Sequence, residues 1–213
     1  MSGVDAAART ALVELGRSLF ERRYTHGRTG NLSIRLGDTF LVTPTNVSLG
    51  GLDAEQLSTV TLDGEHVAGP QPSKEAFLHA AMYRARPDDA AVVHLHSTYS
   101  VAVSCLAGID ETDVLPPLTA YYVMRVGTLP LLPYHAPGDA ALGPVAEAAA
   151  AAHHALLLAN HGPIVAAADL ERAADAVEEL EETARLFLLL HERDIRPLRP
   201  DHVQALREQH RRR

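Results

Sequence analysis

The sequence predicts an α/β protein, with helices at both ends of the chain and paired strands between them. Three observations predict it. Apolar residues recur at helical spacing near the N-terminus, at Ala8, Leu12, Leu15 and Leu19. Short apolar runs flank the turn dipeptides Gly37-Asp38 and Asp63-Gly64 in the first third of the chain. Asp169 precedes a long amphipathic stretch, and a further helix follows Pro200. Consecutive strands joined by tight turns imply a sandwich built on a mixed or mostly antiparallel sheet.

The elements follow in order. The first helix ends near Arg23, and residues 25–31 are a turn by composition. Residues 32–36 and 40–42 read as a strand pair that Thr43-Pro44-Thr45-Asn46 closes. Residues 60–62 and 66–67 form the next pair. A helix is expected over residues 74–86, with Ser73 as its N-cap. Residues 91–95 are a short apolar strand, and Ser97 starts a helix reaching about residue 106. Residues 121–125 and 129–132 read as extended. A helix over 139–153 leads to a strand over 155–158. The tight loop Asn160-His161-Gly162-Pro163 then enters a strand over 164–167. The helix capped by Asp169 runs to about His191, and Arg211 to Arg213 read as a solvated tail.

With 213 residues and 46% hydrophobic content, the chain is expected to be one domain over residues 1–213, long enough to bury a core. A net charge of −8 argues against a generic nucleic-acid surface. The single cysteine, Cys105, cannot form an intrachain disulfide. The longest apolar stretch, residues 145–159, is interrupted by Glu147, His153 and His154 and is too short and polar to span a bilayer. Asp5, Arg9, Glu14 and Arg17 break any signal-peptide core. A cytoplasmic enzyme or binding protein, with no nucleic-acid or membrane partner, fits these features. The 19 basic residues comprise 18 arginines and one lysine, Lys74.

Four constellations can carry chemistry. His94-Leu95-His96 on a strand places two imidazoles on one face, as a divalent ion requires. The alternative is one buried, hydrogen-bonded histidine beside an ordinary surface one. His161, in a glycine-bearing turn after an apolar strand, can supply a third imidazole and leave a fourth position open, or serve only the turn. Glu75 either complements a helix dipole or sits beside a metal as ligand or general acid/base. His79, four residues on, reads as a packed and hydrogen-bonded group rather than a ligand. The polar turns Gly30-Asn31, Thr45-Asn46 and Ser73-Lys74 offer backbone N–H groups and short donors suited to phosphate. No GxxxxGK[ST] or GxGxxG motif occurs.

Taken together, Gly30-Asn31-Leu32-Ser33, Thr43-Pro44-Thr45, Pro72-Ser73-Lys74-Glu75, His94-Leu95-His96-Ser97 and Asn160-His161-Gly162 resemble the class II aldolase/adducin family in order and spacing. The resemblance implies a three-layer α/β/α sandwich around a mainly antiparallel, mixed sheet, assembled as a homotetramer. It implies one Zn2+ per subunit on His94, His96 and His161, with Mn2+ as an alternative ion. Glu75 becomes the catalytic acid/base and a further metal ligand. Gly30, Asn31, Thr45, Asn46, Ser73 and Lys74 become the phosphate site.

Longer words sharpen the resemblance: Thr43-Pro44-Thr45-Asn46-Val47-Ser48-Leu49-Gly50, Lys74-Glu75-Ala76-Phe77-Leu78-His79, residues 117–127, and Glu178-Glu179-Leu180-Glu181-Glu182-Thr183-Ala184. They resemble a bacterial branch of the family, the 3-oxo-tetronate 4-phosphate decarboxylases. That implies a sugar-acid phosphate substrate, loss of CO2 through an enediolate, and protonation by Glu75 or by Tyr121 of a neighbouring subunit. The alternatives are a sugar-phosphate aldolase or epimerase, a dehydratase of a methylthiopentulose phosphate, and an adducin-like assembly module without activity. Lys74 stands where sugar-phosphate aldolases commonly carry a second serine, so it is expected to hold a substrate carboxylate or phosphate.

Overall fold

The computed structural model describes residues 3–211. The chain opens with helix α1 (Gly3–Glu21) and two strand pairs, β1 (Asn31–Leu36) with β2 (Thr39–Val42) and β3 (Ser58–Thr61) with β4 (His66–Ala68). Helix α2 (Ala76–Ala85), strand β5 (Ala91–His94), and helices α3 (Thr98–Ser104) and α4 (Ala120–Arg125) come next. They are followed by β6 (Leu131–Leu132), α5 (Leu142–Ala150), β7 (Ala155–Leu158), β8 (Gly162–Ala167), α6 (Leu170–Leu189) and α7 (Pro200–Arg211). The strands form one sheet in the order β4-β3-β2-β1-β5-β8-β7-β6. Every pair is antiparallel except β6 with β7. The architecture is therefore the expected three-layer α/β/α sandwich.

Strand periodicity builds the layers. Side chains alternate across a sheet, so adjacent residues enter opposite cores. Val93, Leu157 and Val165 face the layer that holds α1, α3 and α6. Val92, Leu156, Leu158, Ile164 and Ala166 face the layer made by α2 and α5. Strands β5, β7 and β8 are buried on both faces, which explains why they read as nearly unbroken apolar runs, whereas β1 alternates Leu32, Ile34 and Leu36 with polar residues.

Helix α6 ties one layer together through its acidic residues. Asp169 caps it by accepting from Arg172 N at 2.8 Å. Glu179 accepts from Thr119 Oγ1 at 2.9 Å, and Thr119 in turn caps α4. Glu181 is buried, and its carboxylate accepts from the Tyr99 and Ser100 backbone N–H groups at 2.8 Å each and from Ser100 Oγ at 2.6 Å. Glu181 thus caps α3 from outside, because Ser97 spends its hydroxyl on Tyr24 O at 2.7 Å. Glu181→Ala is expected to cost about 2–4 kcal/mol by leaving buried N–H groups without an acceptor. Urea unfolding measures this, and a cost within about 0.5 kcal/mol of zero would exclude the capping role.

Three expectations are corrected. Residues 121–125 are helical, not extended. Thr119 accepts from Tyr122 N at 3.0 Å, and Tyr122, Val123 and Val126 face the core at helical spacing. A short apolar run does not distinguish strand from buried helix by period alone. Helix α2 begins at Ala76 with Glu75 as its N-cap residue, so Ser73 is not the cap. Ser73 instead closes the turn before the helix, accepting Glu75 N on its hydroxyl at 3.3 Å and Ala76 N on its carbonyl at 3.0 Å. Of residues 129–132, only Leu131–Leu132 pair as a strand. Arg211 closes α7, and Arg212 and Arg213 lie outside the described residues. Among the described residues, no helix is long and apolar enough to cross a membrane.

Candidate metal centre and substrate site

The cluster forms where the ends of β1, β5 and β8 meet. His94 is the last residue of β5, paired with Asn31 on one side and Ile164 on the other. The strand ends there, so His96 lies just beyond it rather than on it as expected. The chain still brings the two imidazoles together, with Nε2 atoms 3.2 Å apart. His161 enters from the β7–β8 turn, its Nε2 3.1 Å from that of His96. Gly162 makes this approach feasible. Its φ is +147°, and a Cβ there would lie 2.3 Å from Leu95 O. Any side chain would push the His161 turn away from His96.

Glu75 completes the group. Oε1 lies 3.0 Å from His161 Nε2, and Oε2 lies 3.3 Å from His94 Nε2. One ligand atom from each of the four residues falls within 4.8 Å of the others. His94 Nδ1 donates to Pro163 O at 2.8 Å, which fixes its tautomer and turns the Nε2 lone pair toward the cluster. The ring centroids stand 4.5–5.0 Å apart with interplanar angles of 65–86°. Nitrogen lone pairs facing one another this closely repel unless a proton or a cation lies between them. A four-coordinate ion with bonds of about 2.0–2.1 Å holds its donors about 3.3 Å apart, so the donor set fits a divalent metal.

The electrostatics agree. Burial pushes the Glu75 carboxyl up, but His94 and His161 beside it win and hold it far below the ordinary carboxylate range. Burial and the neighbouring His94 and His161 push His96 down to about 3, which keeps its lone pair available at neutral pH. For His94, burial pushes the pKa down, and the opposed Glu75 carboxylate more than reverses this.

The polar turns adjoin this cluster. An isolated antiparallel bridge joins Pro44 to Pro72. Thr45 N–H donates to Gln71 O at 3.0 Å and Ser73 N–H to Thr43 O at 3.2 Å. Thr45-Asn46 and Ser73-Lys74 therefore stand side by side, with Lys74 exposed. Two of the backbone N–H groups expected to face a ligand are spent on this bridge. Asn31 also differs from the expectation, because it is buried and its amide donates to Glu75 Oε2 at 2.9 Å. Gly30, with φ +80°, brings this turn against His94 O. Tyr121 is 58% exposed on α4, beneath the Arg125 guanidinium, and is not among the residues around the cluster in this chain.

A cavity of about 290 Å³ opens beside His96 and His161. His26, Tyr134, His135 and Asn160 form its rim. The sequence reading missed these four as site residues. The sole available signal was polar or aromatic character in glycine- and proline-bearing loops, which many surface loops share.

The chain belongs to the class II aldolase and adducin N-terminal domain family, whose profile matches residues 10–188. Within it, the chain is 52% identical over 203 residues to the 3-oxo-tetronate 4-phosphate decarboxylase of Pectobacterium atrosepticum, covering 95% of this chain and 93% of that one. The crystal structure of Escherichia coli YgbL matches with a TM-score of 0.93 and 46% identity, over 96% of this chain and 99% of that one. A solved L-fuculose 1-phosphate aldolase matches with a TM-score of 0.85 and 26% identity, over 99% and 98%.

Proposed function

We propose that this protein, a single class II aldolase-like domain, decarboxylates 3-oxo-tetronate 4-phosphate to dihydroxyacetone phosphate and CO2. The convergence of Glu75 with three histidine Nε2 atoms carries the proposal. The substrate is that of relatives 46–52% identical over most of their length. His94, His96, His161 and Glu75 would hold Zn2+, or Mn2+ in its place, which would supply a Lewis acid where negative charge develops.

The reaction breaks the C1–C2 bond. Its electron pair moves into the C3 carbonyl, C1 leaves as CO2, and C2 must gain a proton. Glu75 returns that proton in this proposal, which requires bound substrate to raise its carboxyl out of the strongly acidic range that His94 and His161 impose. Tyr121 of the partner subunit, in the homotetramer the family resemblance implies, is the other proton source the reading allows. The 4-phosphate binds across Gly30, Thr45, Asn46, Ser73 and Lys74, and its binding energy holds C2 beside Glu75. Asn31, expected in the same site, has its amide committed to Glu75 and His79. Because two N–H groups there are already used, hydroxyls and the Lys74 ammonium carry most of the recognition. The small cavity suits a four-carbon acid. A phosphorylated acid of this charge does not cross membranes unaided, which is compatible with the expected cytoplasmic location.

The test supplies the zinc-loaded protein with 3-oxo-tetronate 4-phosphate made in situ by its kinase. One CO2 per dihydroxyacetone phosphate is expected, with activity lost on chelation and restored by Zn2+. No CO2, together with cleavage of L-fuculose 1-phosphate, would replace this reading with the aldolase one. Lys74→Ser is expected to lower kcat/KM about 10- to 100-fold, the range for one charge-assisted hydrogen bond. Wild-type kinetics in Lys74→Ser and Lys74→Arg would remove the lysine from the site.

A further inference from the structure

Behind the cluster, buried side chains connect Glu75 to Tyr83 near the C-terminal end of α2, along the face packed on β1. Glu75 Oε2 accepts from Asn31 Nδ2 at 2.9 Å. Asn31 Oδ1 meets Nε2 of His79 in a short contact. His79 Nδ1 lies 2.6 Å from Ser33 Oγ, and Ser33 Oγ lies 2.7 Å from the Tyr83 hydroxyl. His79, Ser33 and Tyr83 have no solvent exposure. Phe40 stacks near-parallel to the His79 ring at 6.5 Å and meets Tyr83 at 5.3 Å, so the group has little room to rearrange. None of these residues lines the cavity.

The direction of each hydrogen bond follows from the one before it. An ionised carboxylate only accepts, so Asn31 turns its NH2 toward Glu75. Its carbonyl oxygen is then left for His79, whose Nε2 must carry the hydrogen. Burial, reinforced by nearby His94, pushes the His79 imidazole down to about 3, so it is neutral and has one N–H. Nδ1 therefore accepts, and the Ser33 hydroxyl donates to it. The Ser33 oxygen in turn accepts from Tyr83. Four donors in series point toward Glu75.

We propose that Tyr83, Ser33 and His79 are positioning residues. Through Asn31 they tie Glu75 Oε2 and leave Oε1, the oxygen beside His161 Nε2, to exchange the substrate proton. The inference rests on the proposed role of Glu75 at C2. A histidine four residues after a helix-capping glutamate is thus neither a ligand nor mere core filling. It locks the Asn31 amide in the direction that the Glu75 carboxylate selects.

Two measurements test this. In the zinc-loaded wild-type protein, 15N NMR should show His79 as the Nε2–H tautomer. An Nδ1–H tautomer would overturn the relay, and this result does not depend on which reaction the protein catalyses. Kinetics at saturating zinc then compare two variants. His79→Leu should lower kcat about 100-fold with KM within about threefold and one zinc per chain retained. His79→Gln, which keeps a donor for Asn31, should recover about tenfold of that loss. Equal losses in the two variants, or loss of zinc in place of kcat, would overturn the positioning role. Absent CO2 release by the wild type would count against the proposed function and leave the tautomer result standing.

Discussion

His94→Ala should empty the site of metal and lower kcat/KM by about 10⁴-fold or more, since the ion provides several kcal/mol of charge stabilisation. The size of the effect follows from where His94 sits. It is fully buried, its Nδ1 is fixed on Pro163 O, and its Nε2 lies 3.2 Å from His96 Nε2 and 3.3 Å from Glu75 Oε2. Among the described residues, no further donor joins the group to substitute for it. Two imidazoles and one carboxylate would remain, a weaker set with no fixed partner opposite Glu75. Metal analysis of the purified variant reads the first half of the prediction, and the decarboxylation assay reads the second. Thermal unfolding adds a readout independent of turnover. An ion that binds only the folded state raises Tm with its concentration, so Zn2+ should raise the Tm of the wild type and leave that of His94→Ala unchanged. A variant that holds one ion per chain and turns over normally would remove His94 from the centre.

His94, His96, His161 and Glu75 were legible as candidates from local signals, and the family resemblance joined them into one site. The His94-x-His96 spacing, the glycine after His161 and the helix-starting Glu75 are each short-range signals, and the structure brings all four side chains together. Asp169 as the α6 cap and the β1–β2 and β3–β4 hairpins were readable for the same reason. Long-range chemistry was not readable. Ser97 has the right residue type to cap α3, yet Glu181, 81 residues after Ser100, does the capping. Its only trace in the sequence is the acidic run 178–182, where nothing marks which carboxylate is buried. Residues 121–125 misled because aromatic and β-branched residues favour strands, and here packing against α6 and α7 decides for helix. Asn31 belongs to a turn that reads as a phosphate binder, while its amide serves Glu75, a residue 44 positions away.

Glu75→Gln should lower kcat about 10²- to 10⁴-fold while leaving one metal ion per chain, because an amide fills the same space and cannot carry the proton. The metal stays because the three Nε2 donors are untouched, and the carbonyl oxygen of the substituted amide can still face the ion. Loss of the ion in this variant would mean that Glu75 acts chiefly as a ligand. The chemistry also allows the proton step to be isolated from CO2 loss. Returning a proton to C2 is reversible in the product, so the wild type incubated with dihydroxyacetone phosphate in D2O should exchange one C–H hydrogen for deuterium. Exchange needs the metal and the proton carrier but no carboxylate on the substrate. If Glu75 carries the proton, Glu75→Gln abolishes exchange and Tyr121→Phe leaves it near the wild-type rate. The opposite pattern would assign the step to Tyr121 of the partner subunit. Glu75 would then be left with the role its electrostatics already suit: a carboxylate held ionised by His94 and His161, fixed through Oε2 by Asn31, balancing the charge of the ion.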